Sequence, residues 1–216
     1  KRTIGSLERL LPEMDQYVAP GAEIEILAEG FGWSEGPVWV DRLNAVIFSD
    51  VPSNKIYKWD EKDGLSVFLE PSGFTGIAPR EKKGSLNAEN RDESGSNGLV
   101  LDGNGDLTIC MHGDRRIARL DDWDKNTFST IIGKYQGKFF NSPNDLVFAK
   151  NGDLYFTDPP YGLKKGDQDP LKELDFNGVF KLTPSGSLSL IIEDLTRPNG
   201  IAISNDQKTL YVAISD

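Results

Sequence analysis

The chain of 216 residues contains a single cysteine and a single histidine. With Cys110 alone, no intrachain disulfide can form, and stability must come from packing or a bound ion. Cys110 and His112 cannot assemble a zinc site of the usual nitrogen and sulfur type either. No apolar run reaches the roughly 18 residues that a membrane-spanning helix requires. Positive charge is also scarce, with 24 Lys and Arg against 34 Asp and Glu, a net charge of −10 and a pI near 4.7. That balance argues against a nucleic-acid backbone as partner and suits either cation capture or plain solubility. The first residues lack the apolar stretch of a signal peptide and begin at Lys1 rather than Met, so a trimmed leader or a shortened chain is expected. A soluble protein, cytoplasmic or exported, with neither nucleic acid nor membrane as partner, fits this composition.

What is present is a phrase that occurs four times. Ser34-Glu35-Gly36-Pro37-Val38-Trp39 is followed by Ser96-Asn97-Gly98-Leu99-Val100-Leu101, by Pro143-Asn144-Asp145-Leu146-Val147-Phe148 and by Pro198-Asn199-Gly200-Ile201-Ala202-Ile203. In each, a carboxylate or carboxamide opens an apolar strand. A repeat of about 50 residues points to propeller blades or another array.

Each phrase runs across a tight polar turn into a second strand, at 45–49, 107–111, 154–157 and 210–213, which is hairpin chemistry. A third strand with period-two alternation follows at 55–60, 116–121 and 178–183, and a fourth at 65–69, 128–132 and 188–192. Four antiparallel strands per repeat compose a propeller blade, so the fold class is all-β. Three whole blades and the first two strands of a fourth are expected, on a ring that closes only with further blades. Residues 1–21 read as an N-terminal extension and 22–216 as the partial propeller. The alternating stretch 22–28 is expected to be the outer strand of the last blade. The polar, aperiodic stretch 75–96 reads as a long loop between the first and second blades, either a mobile insertion or a lid over the channel mouth, and the Pro-stiffened loop 158–175 as a wall of the site.

In a propeller the first strand of each blade lines the channel, so Glu35, Asn97, Asn144 and Asn199 are expected near one mouth. A single Asn-Gly after Pro or Ser is a turn former; four in register, one replaced by Glu, read as ligands. Carboxylate and amide oxygens are hard donors, which makes calcium the first choice, with Mg2+, Mn2+ or Zn2+ as substitutes. Asp102-Gly103-Asn104-Gly105-Asp106 imitates a calcium loop, but Leu107 stands where that loop needs glycine, and it reads as a hairpin turn.

Glu35-Gly36-Pro37-Val38-Trp39, Asn141-Ser142-Pro143-Asn144-Asp145, Phe156-Thr157-Asp158-Pro159-Pro160-Tyr161-Gly162 and Arg197-Pro198-Asn199-Gly200-Ile201 resemble the gluconolactonase and regucalcin (senescence marker protein) family, especially its bacterial gluconolactonase branch. The resemblance covers residues 22–216. It implies a six-bladed β-propeller, of which about three and a half blades are here, and one divalent cation in the channel. The activity implied is hydrolysis of sugar lactones such as glucono-1,5-lactone, by metal polarisation of the lactone carbonyl and water attack. By motif, Glu35 and Asn199 match metal ligands, and Asn144 matches a residue that contacts substrate and, in related phosphotriesterase propellers, the metal. Asn97, His112 and Tyr161 are expected on the substrate side. The family's acid–base Asp, in a fifth-blade motif, is expected beyond Asp216, and Ser142 stands where animal members carry Arg. Hydrolysis of other lactones, aryl esters or phosphotriesters, or a metal-stabilised binding propeller without turnover, are the alternatives.

Overall fold

The computed structural model describes residues 1–80 and 92–215, so that part of the expected 75–96 loop, and Asp216, lie outside the described residues. Lys1–Gly30 and Phe31–Asp216 are two compact units. In the first, Pro12 opens a short 3-10 turn, Pro12–Gln16, where its missing N–H costs nothing. The stretch 22–28, expected to complete a blade, makes backbone bonds with residues 2–4 of the same unit: Ile4 N donates to Ile24 O at 3.0 Å and Ile26 N to Arg2 O at 2.8 Å.

The second unit is all-β. Blade 1 consists of β1 (Ser34–Val40), β2 (Ala45–Asp50), β3 (Lys55–Asp60) and β4 (Gly64–Leu69). Blade 2 consists of β5 (Ser96–Leu101), β6 (Leu107–Met111), β7 (Arg116–Asp122) and β8 (Thr127–Ile132). A two-stranded ribbon, β9 (Lys134–Tyr135) with β10 (Lys138–Phe139), leads to blade 3. That blade holds β11 (Leu146–Phe148), β12 (Leu154–Asp158), β13 (Asn177–Leu182) and β14 (Leu188–Leu195). Then β15 (Pro198–Ile203) pairs with β16 (Leu210–Ile214). Each blade is an antiparallel meander in chain order. The architecture is a partial β-propeller, with the inner strands β1, β5, β11 and β15 packed side by side in that order.

The core lies between blades, as period-two alternation dictates. From β6, Leu107, Ile109 and Met111 join Val40, Ile47, Ile56 and Leu69 of blade 1. From the opposite face, Cys110 joins Leu146, Leu154, Phe156 and Phe180 of blade 3. Phe140, Phe156 and Phe180 pack ring on ring with centroids 5.1 to 5.2 Å apart, a geometry that adds to their area burial. Blade 2 is therefore covered on both faces, and every residue of β6 is buried.

Candidate active site

A cavity of about 300 Å³ is lined by Glu35, Gly36, Pro37, Asn97, Leu99, Asn144, Asp145, Asn199 and Gly200. The four polar residues that open the repeated phrases thus meet, one from each blade. The reason is local. The ladders of β1, β5 and β15 shift register just after the phrase begins, between Glu35 and Val38, Ser96 and Leu99, and Pro198 and Ile201. In blade 3 regular pairing starts only at Leu146. Such bulges re-aim side chains at strand ends. Glycine follows the donor because the next blade's backbone is there: a Cβ on Gly36, whose φ is +56°, would lie 2.4 Å from Asn97 O, and one on Gly98 would lie 2.8 Å from Asn144 O.

Around the donors, Trp33 Nε1 donates to Glu35 Oε1 at 2.7 Å, which leaves the second carboxylate oxygen for a ligand. Asn199 Nδ2 donates to Ser215 Oγ at 3.1 Å. Asn144 Nδ2 lies 3.5 Å from His112 Nε2, so both amides direct their NH2 groups at protein neighbours. His112 is fully buried behind Asn144 and is not part of the cavity lining. Burial lowers its pKa to about 3, with Arg80 acting in the same direction and the Glu93 backbone carbonyl opposing; the ring is neutral at physiological pH. Tyr161 also lies outside the lining, its hydroxyl 3.4 Å from Ser215 O.

Asp145 is a cavity residue that sequence reasoning passed over. It stands where the other three phrases have glycine, and that departure was the available signal. Its carboxylate accepts from Leu146 N and, across the blade boundary, from Ile201 N, both at 2.9 Å, while burial pushes its pKa up. Two more aspartates hold the lead-in to a donor strand. Asp50 Oδ1 accepts from Gly32 N at 3.1 Å and Trp33 N at 3.0 Å. Asp158 accepts from Asn141 N and Ser142 N, both at 2.8 Å. Burial carries Asp158 to about 7 against these bonds and the pull of Arg115 and Lys172.

The four residues that open the phrases are oxygen donors throughout, one free carboxylate edge and three carboxamides, beside an Asp145 carboxylate that already accepts from two backbone N–H groups, a set that matches a hard cation such as calcium. Among the described residues no three His, Cys, Asp or Glu side chains gather to hold an ion. A cation here would therefore depend on the amides, with Glu35, Asn144 and Asn199 as its protein ligands.

A family model described as the SMP-30/Gluconolactonase/LRE-like region matches residues 33–216. The chain belongs to this family. It is 43% identical over 214 residues to a gluconolactonase of Zymomonas mobilis, spanning 99% of this chain and 58% of that relative. A solved gluconolactonase of Xanthomonas campestris, described as important in glucose secondary metabolic pathways, superposes with a TM-score of 0.71 at 34% identity, over 88% of this chain and 57% of that one. The chain thus spans less than three-fifths of either relative. A calcium-binding regucalcin of Agrobacterium tumefaciens has a TM-score of 0.55 at 13% identity, over 86% of this chain and 51% of that one, a likeness of fold alone. Among the described residues no helix is long and apolar enough to cross a membrane.

Proposed function

We propose that the protein hydrolyses sugar lactones of the glucono-1,5-lactone type in the cavity lined by Glu35, Asn97, Asn144 and Asn199, with calcium, or Mg2+, Mn2+ or Zn2+ in its place. The observation that carries this reading is the meeting of the Glu35 carboxylate and three carboxamides, drawn from four blades, in one cavity. The 43% identity to a gluconolactonase supports it.

Glu35, Asn199 and Asn144 would hold the cation, whose chemistry when bound is Lewis-acid polarisation of the lactone carbonyl. Glu35 brings negative charge to that set, while the amides add oxygen donors without further charge to oppose an oxyanion developing on the substrate. Asn97 offers both an amide donor and an acceptor, as sugar hydroxyls require. His112 would act on the substrate side through Asn144, and Tyr161 from the 158–175 loop.

The test is a pH-stat assay of the full-length protein on glucono-1,5-lactone, other lactones, an aryl ester and a phosphotriester, with and without a chelator. Acid release from the sugar lactone should exceed the spontaneous rate, vanish with chelator, and fall about 100-fold in kcat/KM on Glu35→Gln. Preference for the aryl ester or phosphotriester would reassign the substrate. Cation binding without turnover of any of them would make the protein a binding propeller.

A further inference from the structure

Two buried dipeptides occupy the same place in alternate blades. Ser49–Asp50 closes β2 and Thr157–Asp158 closes β12. In each, the carboxylate reaches back within its own blade and grips the residues three and two positions before the donor: Gly32 and Trp33 before Glu35, Asn141 and Ser142 before Asn144. In each, the hydroxyl reaches forward into the next blade and donates to the backbone carbonyl of that blade's donor. Ser49 Oγ lies 2.8 Å from Asn97 O, and Thr157 Oγ1 lies 2.7 Å from Asn199 O. Two dipeptides thereby touch the backbone of, or just before, all four cavity donors. At the same place in blade 2, β6 ends in Cys110–Met111, which brings no carboxylate and only a weak thiol donor. There the backbone takes over: Gly98 N donates to Asn144 O at 2.7 Å, and Gly95 N to Val51 O at 2.8 Å.

We propose that Thr157–Asp158 is the positioning pair of the cation site, its hydroxyl setting Asn199 and its carboxylate setting Asn144, while Ser49–Asp50 sets Asn97 and Glu35. The carbonyl that Thr157 holds fixes the peptide plane from which the Asn199 side chain departs, so loss of that bond frees a ligand amide without removing it. Thr157 Oγ1 also accepts from Asp145 N at 3.2 Å, and Asp145 in turn accepts from Ile201 N. The blade 3 to blade 4 spacing is therefore set by one connected network. Groups of this kind, which hold a ligand rather than the ion, tune metal affinity by about 10- to 100-fold.

This inference rests on the cation reading above, and its readout is calcium affinity by titration calorimetry on the full-length protein, with thermal unfolding and lactone kinetics alongside. Thr157→Val keeps the branched shape and removes the hydroxyl; it should weaken calcium binding about 10- to 100-fold. Thr157→Ser, which restores the donor, should recover most of that loss. Ser49→Ala loosens Asn97, which is not among the ligands, so it should raise KM for the lactone and leave calcium affinity at the wild-type value. Wild-type calcium affinity in Thr157→Val overturns the assignment. So does an equal loss in Thr157→Val and Ser49→Ala, since that is general loosening of the wall. Should Thr157→Val not fold, the contrast between Thr157→Ser and Ser49→Ala decides by the same rule. A wild-type protein that binds calcium but opens no lactone sinks the substrate reading and leaves this one to the affinities. One that binds no calcium overturns this inference, while the lactone assay still judges the activity.

Discussion

Blades 1 and 3 end their second strands with a hydroxyl and a carboxylate, whereas blade 2 ends its second strand with Cys110–Met111. All six of these residues are buried, so the difference lies in what each strand end packs against. Blade 2 is flanked on both faces, so Met111 packs into the core shared with blade 1 and Cys110 into the core shared with blade 3. A carboxylate at Met111 would have to find partners in that core, and the nearby Gly95 N is already engaged by Val51 O. Asp158 shows what such a location does even with two N–H donors in place, since its carboxyl is pushed up to about 7. The two solutions reach the same end, an inner strand held against its neighbour, by side-chain bonds in one case and backbone bonds in the other.

The strongest way to break this comparison is to install the carboxylate where the fold avoids it. Met111→Asp buries a charge without a partner and should cost about 3–5 kcal/mol; a urea midpoint equal to wild type would show that blade 2 accepts the same fixture. The converse change, Asp158→Ala, orphans Asn141 N and Ser142 N at about 1–3 kcal/mol each, less the relief of no longer burying a carboxylate. Asp50→Ala should cost less, because Gly32 and Trp33 are exposed enough for water to replace the acceptor. Equal losses at Asp50 and Asp158 would mean that burial does not govern the difference.

A smaller effect sharpens the comparison through pH. The folded-state pKa of Asp158, about 7, lies above its ordinary 3.8, so the folded protein binds this proton more tightly than the unfolded chain. The stability it contributes is complete below about 3.8 and is lost as pH rises through 7. The stability of wild type relative to Asp158→Asn should therefore fall between pH 4 and 7. His112 runs the other way, since its folded-state pKa of about 3 lies below 6.5. Its contribution is present above 6.5 and lost as pH falls toward 3, a slope that His112→Asn should remove. Unfolding midpoints across pH 3 to 8 would test both signs. The least effect belongs to Met111→Leu, a swap of nearly equal volume that should cost less than about 1.5 kcal/mol and leave calcium affinity alone.

Much of the blade architecture was legible along the chain. Lys55–Asp60 and Leu107–Met111 have the bounds that alternation and turn chemistry set, and the inner strands begin at the repeated phrases. The exception is β11, which starts at Leu146 rather than Pro143: Pro143 has no N–H to give a ladder, and the Asp145 backbone N–H donates to the Thr157 side-chain hydroxyl instead of a β12 carbonyl. At the site, the repeat itself marked Glu35, Asn97, Asn144 and Asn199. Asp145 and the Ser49–Asp50 and Thr157–Asp158 pairs were not read as a set, because what they bind lies in another blade or across a bulge. His112 was visible as a lone histidine at a strand end, but nothing local to it indicated complete burial behind Asn144.

The sequence by itself determined the blades, their order and the four polar residues at their inner ends, because alternation, turn residues and a repeated phrase act over a few neighbouring positions. Only the tertiary structure decided how those ends are held. Ser49 meets Asn97 O and Thr157 meets Asn199 O across 48 and 42 residues of chain, and such contacts exist only once the blades have packed. A serine and a cysteine at equivalent strand ends differ by one atom in the sequence; packing made one a tether and the other core.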